Sequence, residues 1–147
     1  MTIKLQEALQ SAQQLAMRSA HAELKSTHVL LSLLQQEGGI VTPILESAGV
    51  DITALKASVM SELSGLPTMQ GATSEPQMSY GMKSTLNEAE KAREKLGDEF
   101  LSVEHFLLGA LKDASPAGKL LASVGLTESK LEEALKKIRG SQKVTDE

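Results

Sequence analysis

Apolar positions fall along this chain in helical stripes, and the stripes form a set that occurs twice. In the first set Leu5, Ala8, Leu9, Ala12, Leu15 and Ala16 keep the three- and four-residue spacing of an amphipathic helix. His21 to Lys25 breaks that stripe. From about Thr27 to Glu37 the chain is apolar nearly all round, through Val29, Leu30, Leu31, Leu33 and Leu34. This predicts a helix at the centre of the core, stopped by Gly38 and Gly39. A third helix carries Ile40, Val41, Ile44, Leu45 and Ala48, with Pro43 in its first turn, where a missing N–H removes no helical bond. Gly49 ends it in the left-handed conformation, which is cheap only for glycine. Asp51 caps a fourth helix that buries Ile52, Leu55, Val59 and Leu63.

The same plan returns about 76–77 residues later. Leu24-Lys-Ser-Thr-His28-Val-Leu-Leu-Ser-Leu-Leu34 aligns with Leu101-Ser-Val-Glu-His105-Phe-Leu-Leu-Gly-Ala-Leu111. Ile44-Leu-Glu-Ser-Ala-Gly49 aligns with Leu120-Leu-Ala-Ser-Val-Gly125, and Leu5, Leu9 and Ala12 with Met82, Leu86 and Ala89. The second set of helices is predicted near Tyr80–Leu96, Ser102–Asp113, Ser115–Val124 and Thr127–Arg139. Ser115-Pro116 is a cap with its first-position proline, and Thr127 caps the last helix. No segment alternates apolar and polar residues, so no sheet is expected. The expected fold is all-α: two pseudo-symmetric four-helix repeats forming one compact domain. The repeats are 1–63 and 82–139. A Gly- and Pro-containing linker, flexible or loosely draped, spans 64–81, and a fraying polar tail spans 140–147.

Composition narrows the chemistry. At 147 residues, with 41% hydrophobic and 23% charged side chains, the chain has enough apolar surface for one packed core. The net charge of -4 comes without a lysine or arginine block, which argues against nucleic acid as a partner. Aromatics make up 2%, leaving almost nothing on which bases or sugars would stack. Cysteine is absent, which removes thiolate metal sites and thiol nucleophiles. No apolar run approaches the ~18 residues of a spanning helix, and the first residues lack the pattern of a secretory signal. The expectation is a soluble, cytoplasmic protein without a membrane partner.

His21, His28 and His105 are the histidines. His28 and His105 occupy equivalent points of the two repeats, so each is expected to bond within its own half rather than converge on a metal. Gly-x-Ser-x-Gly, Gly-x-x-x-x-Gly-Lys-Ser/Thr and Gly-x-Gly-x-x-Gly do not occur. No catalytic residue, metal site or cofactor is assigned to this chain.

The repeated Leu-x-x-x-His-x-Leu-Leu block, the Ala-Gly and Val-Gly helix ends and the repeat period resemble the N-terminal domain of Clp-type AAA+ proteins. The resemblance covers the whole chain. Its details are most similar to the ClpB disaggregase branch: Gln35-Gln-Glu-Gly-Gly39 with Pro43-Ile-Leu, Gly97-Asp98 before Phe100-Leu-Ser, and Arg139-Gly140 before a polar stretch. It implies a non-enzymatic recruiting module that binds exposed hydrophobic segments of unfolded or aggregated polypeptides. The parent would be a homohexameric ATPase working with a partner chaperone system, with ATP and Mg bound only by downstream modules. The isolated domain would be a monomer. The alternative is an adaptor-docking module of a ClpA- or ClpC-like unfoldase. ClpC-like relatives pair two Glu-His blocks to recognise phosphoarginine; here Glu104-His105 is kept but Thr27 stands before His28, and the symmetric pair of carboxylates is lost.

The polar positions of the ClpB-type groove are matched by Thr2, Asp98 and Glu104. Each also has a local role open to it: Thr2 as a helix cap, Asp98 in a turn after Gly97, and Glu104 in a first helical turn favoured by the dipole. As substrate contacts on the rim of a groove between the repeats, Asp98 and Glu104 should, on replacement by alanine, weaken client binding without costing more stability than the loss of a helix cap.

Overall fold

The computed structural model describes residues 1–69, 75–113 and 115–140. Its helices are α1 (Ile3–Arg18), α2 (Ser26–Leu34), α3 (Val41–Ser47), α4 (Ile52–Ser64), α5 (Tyr80–Leu96), α6 (Val103–Lys112), α7 (Pro116–Ser123) and α8 (Glu128–Arg139). This is the all-helical double repeat that the stripes predict. The helix starts are fixed locally. The side chains of Thr2, Asp51, Ser79, Ser115 and Thr127 each accept a backbone N–H three residues on. Gly49 and Gly125 take φ values of 87° and 90° after α3 and α7.

The most apolar helices, α2 and α6, are central. Every residue of α2 is buried, as is α6 from Val103 to Ala110. Helix α1 packs on α2 and α5 on α6, and the halves interlock: α3 lies on α8, while α7 lies against α2 and α4. Ala117 N–H donates to Ser26 Oγ across the interface at 3.1 Å. One core results, with Leu30, Leu33 and Ile44 from one repeat and Phe106, Leu107 and Leu131 from the other.

Two local expectations fail. Helix α2 stops at Leu34, short of Gly38 and Gly39, because the next residues turn back onto α1. Gln36 Nε2 donates to Lys4 O at 2.8 Å, and Lys4 Nζ to Glu37 O at 2.9 Å. A minimal parallel ladder also exists, β1 (Glu23–Leu24) with β2 (Gln77–Met78). Two residues a side are too few to leave an alternating pattern. Strand β2 belongs to the stretch read as a linker, and that stretch is held where it is described. Met69 N–H donates to Ala20 O at 2.8 Å, Gln77 N–H to Ala22 O at 3.1 Å, and Gln13 Nε2 to Pro76 O at 3.0 Å. The tail from 141 onward lies outside the described residues.

Candidate functional site

Thr2, Asp98 and Glu104 gather around the turn that joins α5 to α6. Gly97, at φ 71°, closes α5, and the chain then presents Asp98 to the first turn of α6. Asp98 Oδ2 accepts His105 Nε2–H at 2.7 Å, and its two oxygens accept Arg139 Nη1 and Nη2 at 2.8 and 2.5 Å. Ser102 N–H donates to His105 Nδ1 at 2.9 Å, so Nδ1 is the acceptor and the ring proton sits on Nε2, aimed at Asp98. Glu104 takes the Ser102 hydroxyl on Oε1 and has Arg139 Nη1 at 3.7 Å from Oε2. Arg93 Nη1 donates to Asp98 O at 2.8 Å. Thr2 stands alongside, its N–H on Leu101 O at 2.8 Å and its hydroxyl capping α1.

The three candidates are therefore neighbours, but they face inward. Thr2 is 9% exposed, and Asp98 and Glu104 are 3% each. The carboxylates of Asp98 and Glu104 are engaged by His105, Ser102 and Arg139. Hydrogen bonding and charge from Asp98 raise the pKa of Arg139 above the ordinary arginine value. Sequence reasoning missed Arg139 because 41 residues separate it from Asp98. The pairing of Asp98 with His105 did leave a trace: the seven-residue spacing from Asp98 to His105 repeats that from His21 to His28.

Arg139 also lines a groove of about 500 Å³ between α5, α6 and α8. Ala92, Leu96, Leu108 and Leu135 supply its apolar surface, and glutamates and lysines form its rim. Leu96 is 40% exposed. The groove lies within the second repeat, not between the repeats as expected. The corresponding cleft in the first repeat, between α1 and α2, is lined by Ser11, Gln14, Gln35 and Gln36 with charged neighbours. Equivalent positions have thus diverged: Gln14 and Gln35 stand where the second repeat has Lys91 and Lys112.

The polar relay has diverged as well. In the first repeat Lys25 N–H donates to His28 Nδ1 at 3.0 Å, which places the His28 proton on Nε2, and Nε2 donates to His21 Nδ1 at 2.8 Å. Protonating either ring at Nδ1 breaks one of these bonds. Burial, followed by the influence of His21, lowers the His28 pKa to about 4, and burial with nearby Lys25 lowers that of His21. Thr27, in the place of Glu104, leaves its buried hydroxyl without a hydrogen-bond partner.

A pH dependence follows. Unfolded histidine binds a proton near pH 6.5 and folded His28 only near 4, so the unfolded chain gains protons first as pH falls. Stability should decline between those values, by about 1–2 kcal/mol at pH 5 relative to pH 7.5. Calorimetric melting across this range checks it, and His28→Gln should flatten the slope. Among the described residues no group of three or more His, Asp or Glu side chains converges to hold a metal ion.

Comparison with known proteins extends the picture. Residues 1–124 match the family described as the Clp repeat (R) N-terminal domain. The chaperone protein ClpB of Pseudomonas putida is 38% identical over 146 residues, which cover 99% of this chain and 17% of that protein. The crystal structure of the Hsp104 N-terminal domain from Candida albicans superposes with a TM-score of 0.87 at 20% identity, covering 99% of this chain and 95% of that one. A ClpV N-domain in complex with a VipB peptide superposes with a TM-score of 0.77 at 22% identity, covering 100% of this chain and 90% of the other. The chain thus spans 17% of the length of the ClpB relatives from Pseudomonas putida and Vibrio vulnificus.

Proposed function

We propose that this chain, which belongs to the Clp repeat N-terminal domain family, captures exposed hydrophobic segments of unfolded or aggregated polypeptides for a ClpB-like disaggregase. The observation that carries the reading is the groove between α5, α6 and α8, where the exposed Leu96 stands beside an apolar floor of Leu108 and Leu135. An apolar cleft gives affinity that is proportional to buried area and indifferent to sequence, which suits a module meeting many clients. The affinity should be weak, because the groove is small and the client loses freedom on binding. Relatives named ClpB support the choice of branch, and the ClpV N-domain complex supplies a precedent for peptide binding on this fold.

In this reading Asp98 and Glu104 act one step behind the surface. They hold Arg139 in place as part of the groove wall, and Thr2 fixes the start of α1 beside the same turn. ATP hydrolysis, with its Mg ion, and assembly of the hexameric ring belong to the remainder of a cytoplasmic parent protein, which works with a separate partner chaperone system.

NMR titration of the 147-residue chain with a reduced and alkylated, permanently unfolded protein tests the reading. Perturbed amides should cluster at Ala92, Leu96, Leu108 and Leu135. Leu96→Ala should weaken binding about three- to tenfold, since it removes exposed apolar contact. It should barely move the melting temperature, because this side chain is already partly in water. Equal binding of the folded and unfolded forms of one client, or perturbations confined to residues 141–147, would sink the proposal.

A further inference from the structure

We infer that this groove selects client segments whose apolar anchor is flanked by acidic residues and disfavours those flanked by basic ones, an inference that rests on the recruitment reading above. The groove has two unlike ends. Lys112, closing α6, meets Glu128, opening α8, at 3.8 Å, whereas Arg139, closing α8, reaches Asp98 just beyond α5. Helices α5 and α8 therefore run in the same direction, each opposite to α6, and their C-terminal ends share one end of the groove.

At the Glu128 end the charges cancel in pairs, Lys91 with Glu88 at 3.2 Å and Lys112 with Glu128. At the other end, next to Leu96, stand Lys95 and Lys136. Both are exposed, and neither has an ion-pair partner among the described residues. Glu132, part-way along α8, is the rim carboxylate likewise unpaired. The carboxylates that the sequence offers to basic client residues, Asp98 and Glu104, are buried and already bound to His105, Ser102 and Arg139. A basic flank therefore finds little to pair with at the Leu96 end, while an acidic flank meets two ammonium groups beside an apolar surface. Client orientation follows, with the acidic residues lying toward Leu96 and Gly140.

The test uses three synthetic peptides of equal length, sharing one Leu-Ile-Val-Leu anchor and flanked by Asp/Glu, by Lys, or by Ser/Gly. Each is titrated into the full chain and followed by NMR. The acid-flanked peptide should bind about two- to tenfold more tightly than the lysine-flanked one at low ionic strength, the scale expected of two exposed ion pairs. The gap should narrow as the Debye length falls to ~8 Å at physiological salt. Lys95→Glu combined with Lys136→Glu should reverse the order while leaving the melting temperature nearly unchanged. Equal binding, a preference for the basic peptide, or an acidic preference that survives the double charge reversal overturns the inference. If these outcomes come with perturbations in the groove, recruitment itself stands. If no peptide perturbs the groove at all, the recruitment reading falls with it.

Discussion

Asp98→Ala is expected to destabilise the domain by about 3–5 kcal/mol, the scale for removing one partner of a buried ion pair. The substitution strands two groups at once. The Arg139 guanidinium loses a bidentate acceptor, and the His105 Nε2–H loses its acceptor in a site where the imidazole is fully buried. Water cannot replace those bonds without opening the turn between α5 and α6. Against a total stability of about 5–15 kcal/mol for a domain of this kind, that is a large share. The melting temperature should fall by roughly 10–15 °C. This exceeds the expectation, drawn from the sequence, that alanine at Asp98 would cost no more than the loss of a helix cap. Thermal melts check the magnitude. A double-mutant cycle with Arg139→Met checks the cause: with both partners gone, the cost should be clearly less than the sum of the single substitutions, because no charge is then left unpaired. Additive costs would show that Arg139 and Asp98 act independently.

The sequence reveals whatever is local or repeated. Thr2, Asp51, Ser79, Ser115 and Thr127 cap helices through a neighbour three residues away, so a cap of this kind is legible from its own flanks. The buried character of α2 and α6 showed in their unbroken apolar runs. What was hidden depends on long-range approach. The Asp98–Arg139 pair joins two segments that no periodicity connects. Asp98 and Glu104 read as rim residues because a carboxylate near a helix start looks the same whether it faces water or a guanidinium from a helix 41 residues away. The groove escaped for a related reason. Leu108 and Leu135 are core leucines on the same stripes as their neighbours, and only the packing of α8 against α6 shows that they also form the floor of a groove beside the exposed Leu96. The β1–β2 ladder was missed because it involves two residues of each strand.

Gly118→Ala is expected to be among the most damaging substitutions of a small residue, and the reason is likewise invisible in the sequence. A glycine inside a helix reads as a local weakness that alanine would relieve. At Gly118, in α7, a Cβ would stand 2.0 Å from Ala110 O and 2.9 Å from its carbonyl carbon. Both atoms belong to the backbone of α6, so no side chain can swing aside. Either α7 moves off α6 or α6 bends, and each disturbs the buried Leu121 and Phe106. The expected cost is about 3 kcal/mol or more, at the upper end for overpacking, after subtracting the helix-propensity gain. Gly109 marks a second such crossing, where a Cβ would come within 2.6 Å of Ala89 N and Thr85 O on α5. Gly81 is the internal control. It lies in the first turn of α5 with nothing within 4 Å of an added Cβ, so Gly81→Ala should stabilise by about 0.5–1 kcal/mol. Urea melts of the two variants should therefore move in opposite directions. A Gly118→Ala protein as stable as the parent would mean that α6 and α7 do not approach as closely as described, and the all-round burial of α6 would need revision with it.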